Sequence, residues 1–230
     1  MLELLFAGIL FVASHLLVSN TRLRPMLMRG LGEKGYAAFY SVLALATLVY
    51  FIRAYNDAPR LHYFWPLEPM LYWAPKALML LAFAFLAGGL LGANATPKAL
   101  ADSAADEAAL AKLTGGINRI TRHPVQWAII LWAASHLVAN GDAASVVFFG
   151  GFLALSLVGS GFTDRKKARQ AGDAWPAFAA ATSNLPFAAI AGGRNRLVWR
   201  ELAVPAAVGL ALYLAFFWGH GWVSSVAIYW

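Results

Sequence analysis

Cysteine is absent from this chain, and charge is scarce. Without a thiol, disulfides, thiolate metal sites and cysteine nucleophiles are excluded together. Charged residues make up 13% of the 230, about half of the ~25% usual in soluble domains. No polar stretch is long enough to fold as a separate soluble domain. A P-loop, a His-Glu-x-x-His pair and a Gly-x-Ser-x-Gly elbow are missing, so the common phosphate, metalloprotease and serine-hydrolase signatures do not apply. Internal repeats and low-complexity tracts are missing too.

What fills the chain is hydrophobic length, 60% of all residues. A bilayer core of ~30 Å needs about 20 apolar residues in helical form. Candidate spans run over Leu4–Val18, Tyr36–Ile52, Leu71–Leu91, Val125–Ala139, Ala143–Phe162 and Leu202–Trp218. The fourth extends back toward Ile117. Asn140-Gly141-Asp142 makes a tight turn between the fourth and fifth. These runs lack the period-two alternation of barrel strands, so helices must satisfy the backbone. The expectation is an all-α polytopic membrane bundle of about six transmembrane helices, folded as one domain over residues 1–230. Met1-Leu2-Glu3-Leu4-Leu5 has no basic n-region and no prompt Ala-x-Ala site, so it reads as the start of a span.

The formal net charge is +7, and its placement argues for a membrane surface rather than nucleic acid. Fifteen of the 18 lysines and arginines lie in three alternate loops. The positive-inside rule then puts those loops in the cytoplasm and both termini outside. Tyr36, Tyr40, Trp65, Tyr72, Trp73, Trp199, Trp222, Tyr229 and Trp230 fall near span ends as an aromatic belt. Two basic-side connections hold more than links. Pro97–Leu113 reads as a short surface helix before Gly115-Gly116. Asp164–Phe178 reads as amphipathic, followed by an apolar stretch, Ser183–Ile190, that either lies in the interface or re-enters the bundle. Gly88-Gly89-Leu90-Leu91-Gly92 permits close backbone approach; homo-oligomerisation finds no firm support in it.

An ionisable side chain inside a span is a functional hypothesis by default. His15 and His136 are the two histidines so placed, each following a serine in an apolar run. Each imidazole either makes one interhelical hydrogen bond or, neutral, ligates a metal or haem iron. His123, in Arg119-Ile120-Thr121-Arg122-His123-Pro124, stands where a helix begins. There it serves either as part of a helix start or, with the two arginines, as an anion or cofactor contact.

The Arg119–Pro124 string, Trp132–His136, Asn140-Gly141-Asp142 and Asn184–Ile190 with Gly193-Arg194 resemble the NnrU family of bacterial membrane proteins. That family is associated with denitrification and nitric-oxide metabolism, and it includes plant and cyanobacterial 15-cis-zeta-carotene isomerases. The resemblance implies haem b as cofactor, with His15 as one axial ligand, His136 as the other (His123 is the alternative), and Arg119, Arg122 and His123 around the cofactor. Arg22 and Arg24 join Arg119 and Arg122 as candidate partners of the haem propionates. The isomerase carries a cysteine three residues before its second histidine; Ala133 stands there, so a cysteine-linked ligand switch is unavailable. The expected partners are membrane lipids and a membrane redox complex. By rise alone, His15 lies ~16 Å below the outer end of its span and His136 ~5 Å below its own. A second resemblance, to isoprenylcysteine carboxyl methyltransferases, implies an S-adenosylmethionine site using Arg122, His123 and Asp164. A third reading, a non-enzymatic assembly factor for a membrane reductase, fits the absence of a polar catalytic cluster.

Overall fold

A computed structural model describes residues 1–66 and 73–224. The expected start of the third span at Leu71, and belt residues Tyr72, Tyr229 and Trp230, lie outside the described residues. Among those described, ten α-helices form: α1 (Leu2–Asn20), α2 (Leu23–Asn56), α3 (Trp73–Leu91), α4 (Pro97–Asp102), α5 (Glu107–Leu113), α6 (Pro124–Ala139), α7 (Ala143–Ala171), α8 (Ala174–Ala181), α9 (Ala188–Ala191) and α10 (Trp199–Ser224), with a 3₁₀ turn at Gly116–Arg119. Five of them, α1, α2, α3, α7 and α10, are long and apolar enough to cross a membrane, and α6 is a shorter apolar helix. The protein is an all-α membrane bundle.

Local chemistry fixes several helix ends. Thr96 accepts from the Ala99 N–H, and Pro97 opens α4 at a position whose N–H has no partner anyway. Asp106 caps α5 through two N–H groups. These two caps split the single surface helix expected over Pro97–Leu113 into α4 and α5. The first basic loop is also shorter than expected. Helix resumes at Leu23 and carries Arg24, Arg29 and Lys34, with a break at Gly32, whose φ of 71° is left-handed. Helix α7 runs past its apolar part, Ala143–Phe162, into a charged extension, Thr163–Ala171, beyond the membrane-spanning segment. That extension ends at Gly172 with φ 55°.

Contacts group the chain into two units, Met1–Pro75 with Ala133–Phe162, and Lys76–Trp132 with Thr163–Trp230. Lipid tails give helices little hydrophobic reason to associate, so close packing must do it. In the first unit the fully buried Phe51 of α2 is seated between two glycines. A Cβ at Gly8 would stand 3.1 Å from its ring and one at Gly151 would stand 3.2 Å away. Phe11, Phe148 and Phe152 pack around it with centroids 4.8–6.0 Å from the Phe51 ring. At one end of this unit the Asn140–Asp142 turn is pinned by the preceding loop. Phe64 donates to the Gly141 carbonyl, Ala143 to the His62 carbonyl, and Arg60 pairs with Asp142 at 3.1 Å.

In the second unit the Gly88–Gly92 stretch serves packing within the chain. A Cβ at Gly88 would meet Ile117 at 2.8 Å, and one at Gly89 would meet Val125 at 2.7 Å. Gly209 brings α10 against the α3 backbone, where an added Cβ would lie 2.7 Å from Ala84 Cα. A second cluster, with Leu100, Leu113, Ala171 and Phe178 at its heart, holds α4, α5, the end of α7 and α8 together.

Candidate functional site

The residues expected to form one site fall into two groups. His15 and His136 belong to the first unit; Arg119, Arg122 and His123 belong to the second.

His15 is half-buried on α1, its ring 4.4 Å from Phe11 and edge-on to Tyr40 at 6.1 Å. Its Nδ1 lies 2.7 Å from the Phe11 carbonyl oxygen. A carbonyl can only accept, so Nδ1 carries a hydrogen, and in a neutral ring Nε2 is then the lone-pair atom. Histidines that bind metals are commonly oriented by such a backbone bond from the other ring nitrogen. His136, on α6, lies against Phe149 of α7 with centroids 4.6 Å apart and planes 24° apart.

The depth of each follows from the register of α1 on α7. Gly8 faces Val147, Val12 faces Gly151, Phe11 packs on Phe152 and Leu16 faces Gly159. The two helices therefore run parallel, and His15 stands level with a position near 157. His136 stands level with Phe149, so about eight residues, or ~12 Å at 1.5 Å per residue, separate them along α7. A neutral His15 ring would present a donor nitrogen to a metal. The parallel register sets the two imidazoles of the expected axial pair at different depths.

The second group is a dense polar latch. Arg122 donates from Nε and Nη2 to the Asp164 carboxylate at 2.5–3.0 Å, and His123 Nε2 lies 2.6 Å from Asp164 Oδ1. Arg122 also donates to the Thr182 carbonyl, and its guanidinium carbon stands 5.5 Å from the centre of the Trp175 ring. His123 is 2% exposed. Burial would raise the Asp164 pKa. Hydrogen bonds from His123 and Arg122, with their charges, outweigh it and hold the carboxyl at about 2. Lys167, one turn along α7, is lowered by burial against the pull of Asp164.

Arg119 forms a second fork. Nε and Nη2 bind the two oxygens of Glu201 at 2.7 and 2.9 Å, while Nη1 donates to Asn195 at 2.8 Å. Glu201 also receives the Gly116 N–H. The main chain ties the same strings together. Arg122 N–H donates to the Ser183 carbonyl and Phe187 N–H to the Ile120 carbonyl. Thr121 Oγ1 and Trp127 Nε1 both donate to the Asn184 carbonyl. The Arg119–Pro124 string and the Asn184–Arg194 stretch, distant in sequence, are thus two halves of one assembly. Arg119 and Arg122, two of the four arginines expected at a cofactor, are engaged by protein carboxylates.

Asp164 stood out in sequence only through the methyltransferase resemblance. Its carboxylate is already filled by Arg122 and His123, so the arrangement offers no open acceptor to a cofactor. Glu201 and Asn195 gave no motif. The available signal was a lone carboxylate in the first turn of an otherwise apolar span, which implies a cationic partner. Among the described residues no group of three or more His, Asp or Glu side chains is placed to hold a metal ion.

An all-α membrane bundle with a charge-paired latch at its basic end defines a class of polytopic integral membrane proteins. Within it, this chain belongs to the NnrU protein family, whose model matches residues 3–228. Two relatives are 15-cis-zeta-carotene isomerases described as chloroplastic. The one from Zea mays is 30% identical over 175 residues, covering 72% of this chain and 44% of the relative. The one from Arabidopsis thaliana is 30% identical over 173 residues, covering 73% and 45%. The match thus spans less than half the length of these relatives. No solved structure matches.

Proposed function

We propose that this chain is an isomerase-like membrane protein that carries haem b through His15 and acts on hydrophobic molecules dissolved in the bilayer. Family membership and 30% identity to zeta-carotene isomerases support the isomerase-like reading. The observation that carries the haem assignment is the 2.7 Å bond from His15 Nδ1 to the Phe11 carbonyl, which leaves Nε2 as a lone-pair donor in an aromatic, apolar setting. A neutral imidazole lacks the electron push of a thiolate, so haem held this way would supply electron exchange and reversible ligand binding rather than oxygen activation. Phe11 orients the ring through its carbonyl and one face, and Tyr40 closes the side toward α2. His136 acts apart from that ligand, at another depth.

The same reading places the protein in a bacterial inner membrane with its basic face toward the cytoplasm, serving nitrogen-oxide metabolism beside a membrane redox complex. Competing S-adenosylmethionine chemistry is disfavoured because Asp164 is occupied. The test is to reconstitute haem-loaded protein in liposomes containing a cis polyene hydrocarbon and to follow the isomer ratio by chromatography. The ratio should change with wild type and stay fixed with His15→Ala. An unchanged ratio with fully loaded wild type would remove the isomerase assignment.

A further inference from the structure

The loop between α8 and α9 holds two large apolar side chains away from the protein: Leu185 is 61% exposed and Phe187 is 49% exposed. Its backbone is rigidly tied. Ser183 Oγ donates to the Leu185 carbonyl and accepts from the Ala189 N–H. Phe187 N–H donates to Ile120, and Ala191 N–H donates to Phe187. Phe187 is the one described non-glycine residue with a left-handed backbone, φ 63°. Glycine would sit there without strain, so internal structure alone does not account for a phenylalanine. Nor does internal packing, since the Phe187 ring is half in the open.

The depth of the loop indicates what covers those side chains. Ile120, its backbone partner, lies four residues before α6 begins, and Ile190 and Leu197 pack against Ile117, Ile120 and Phe85, the last in the final two turns of α3, whose Gly88 and Gly92 also abut Ile117. Trp199, 74% exposed, opens the spanning helix α10 at the position tryptophan takes in the bilayer interface. Three span ends therefore meet at the height of Leu185 and Phe187. Exposed arginines, Arg194, Arg196 and Arg200, follow directly in sequence and match anionic headgroups. We propose that the Leu185–Phe187 loop is a membrane-insertion wedge, dipping its two apolar side chains below the anionic phospholipid headgroups on the basic side while the latch holds its backbone.

The absence of cysteine makes the test direct, because one introduced thiol carries one label. Leu185→Cys, Ala104→Cys on the surface segment after α4, and Leu214→Cys on the lipid-exposed face of α10 would each be labelled with an environment-sensitive nitrobenzoxadiazole. The full chain would then be placed in phosphatidylcholine–phosphatidylglycerol nanodiscs with and without brominated lipid. The wedge predicts that the 185 probe is blue-shifted, quenched by brominated lipid and shielded from iodide, as at 214 and unlike 104. Quenching by iodide without quenching by lipid overturns the proposal. Shielding from both quenchers also overturns it, because a protein surface would then cover the loop. If Leu185→Cys fails to fold, Phe187→Cys carries the same probe and the same outcomes.

Discussion

Replacing Asp164 by asparagine tests whether the latch holds the basic end together. The substitution keeps the shape and one acceptor but removes the charge that Arg122 and His123 share. Side-chain exposures of 14% for Arg122, 16% for Asp164 and 2% for His123 place the network in a largely dry site. Breaking a buried pair by removing one partner costs about 3–5 kcal/mol. Arg122 keeps the Thr182 carbonyl and the Trp175 face, so about 3 kcal/mol is the expected loss, near the lower end. For a chain of this size each kcal/mol moves the melting temperature about 2–4 °C, giving a drop of about 6–12 °C in detergent. Tryptophan fluorescence during heating reads this, in a cycle with Arg122→Gln and the double variant. The double variant should fall short of additivity by about 1–3 kcal/mol. A shift within error of zero, or strict additivity, would refute the claim that these side chains act as one unit.

Acid should reach the latch late. With the Asp164 carboxyl held at about 2, its contribution is complete above the ordinary carboxylate range and is lost as pH falls through about 2, so melting of the wild type relative to Asp164→Asn should not converge between pH 7 and 5. Arg119→Lys should cost about 1–2 kcal/mol in thermal melting, because an ammonium cannot hold both Glu201 oxygens and Asn195 at once. Gly141→Ala should cost more than the ~1–3 kcal/mol of ordinary overpacking and lower both folded yield and melting temperature, since its Cβ would run into the Trp65 carbonyl oxygen; wild-type melting would remove that contact from the account.

The apolar runs made the helical class legible, because length and lack of alternation are read directly from composition. The tight turn at Asn140–Asp142 was legible as well, and α6 does begin at Pro124. What the sequence hid was tertiary. The strings Arg119–Pro124 and Asn184–Arg194 stand far apart in sequence, and no periodicity says that Arg122 meets Asp164, that Arg119 meets Glu201, or that the Asn184 carbonyl takes two side-chain bonds. The depth of His15 against His136 depends on how α1 lies beside α7. Rise per residue exposed the difficulty, and the Gly8–Val147 to Leu16–Gly159 register turned it into an offset.

That offset gives the most direct test of the central claim. The measurement is the visible absorption spectrum of detergent-purified protein from haem-replete cells, compared with His15→Ala and His136→Ala at matched protein concentration. A single-ligand haem at His15 predicts a Soret band in wild type, its loss in His15→Ala and its retention in His136→Ala. A wild type without a Soret band, or a band that survives removal of His15, would contradict the account.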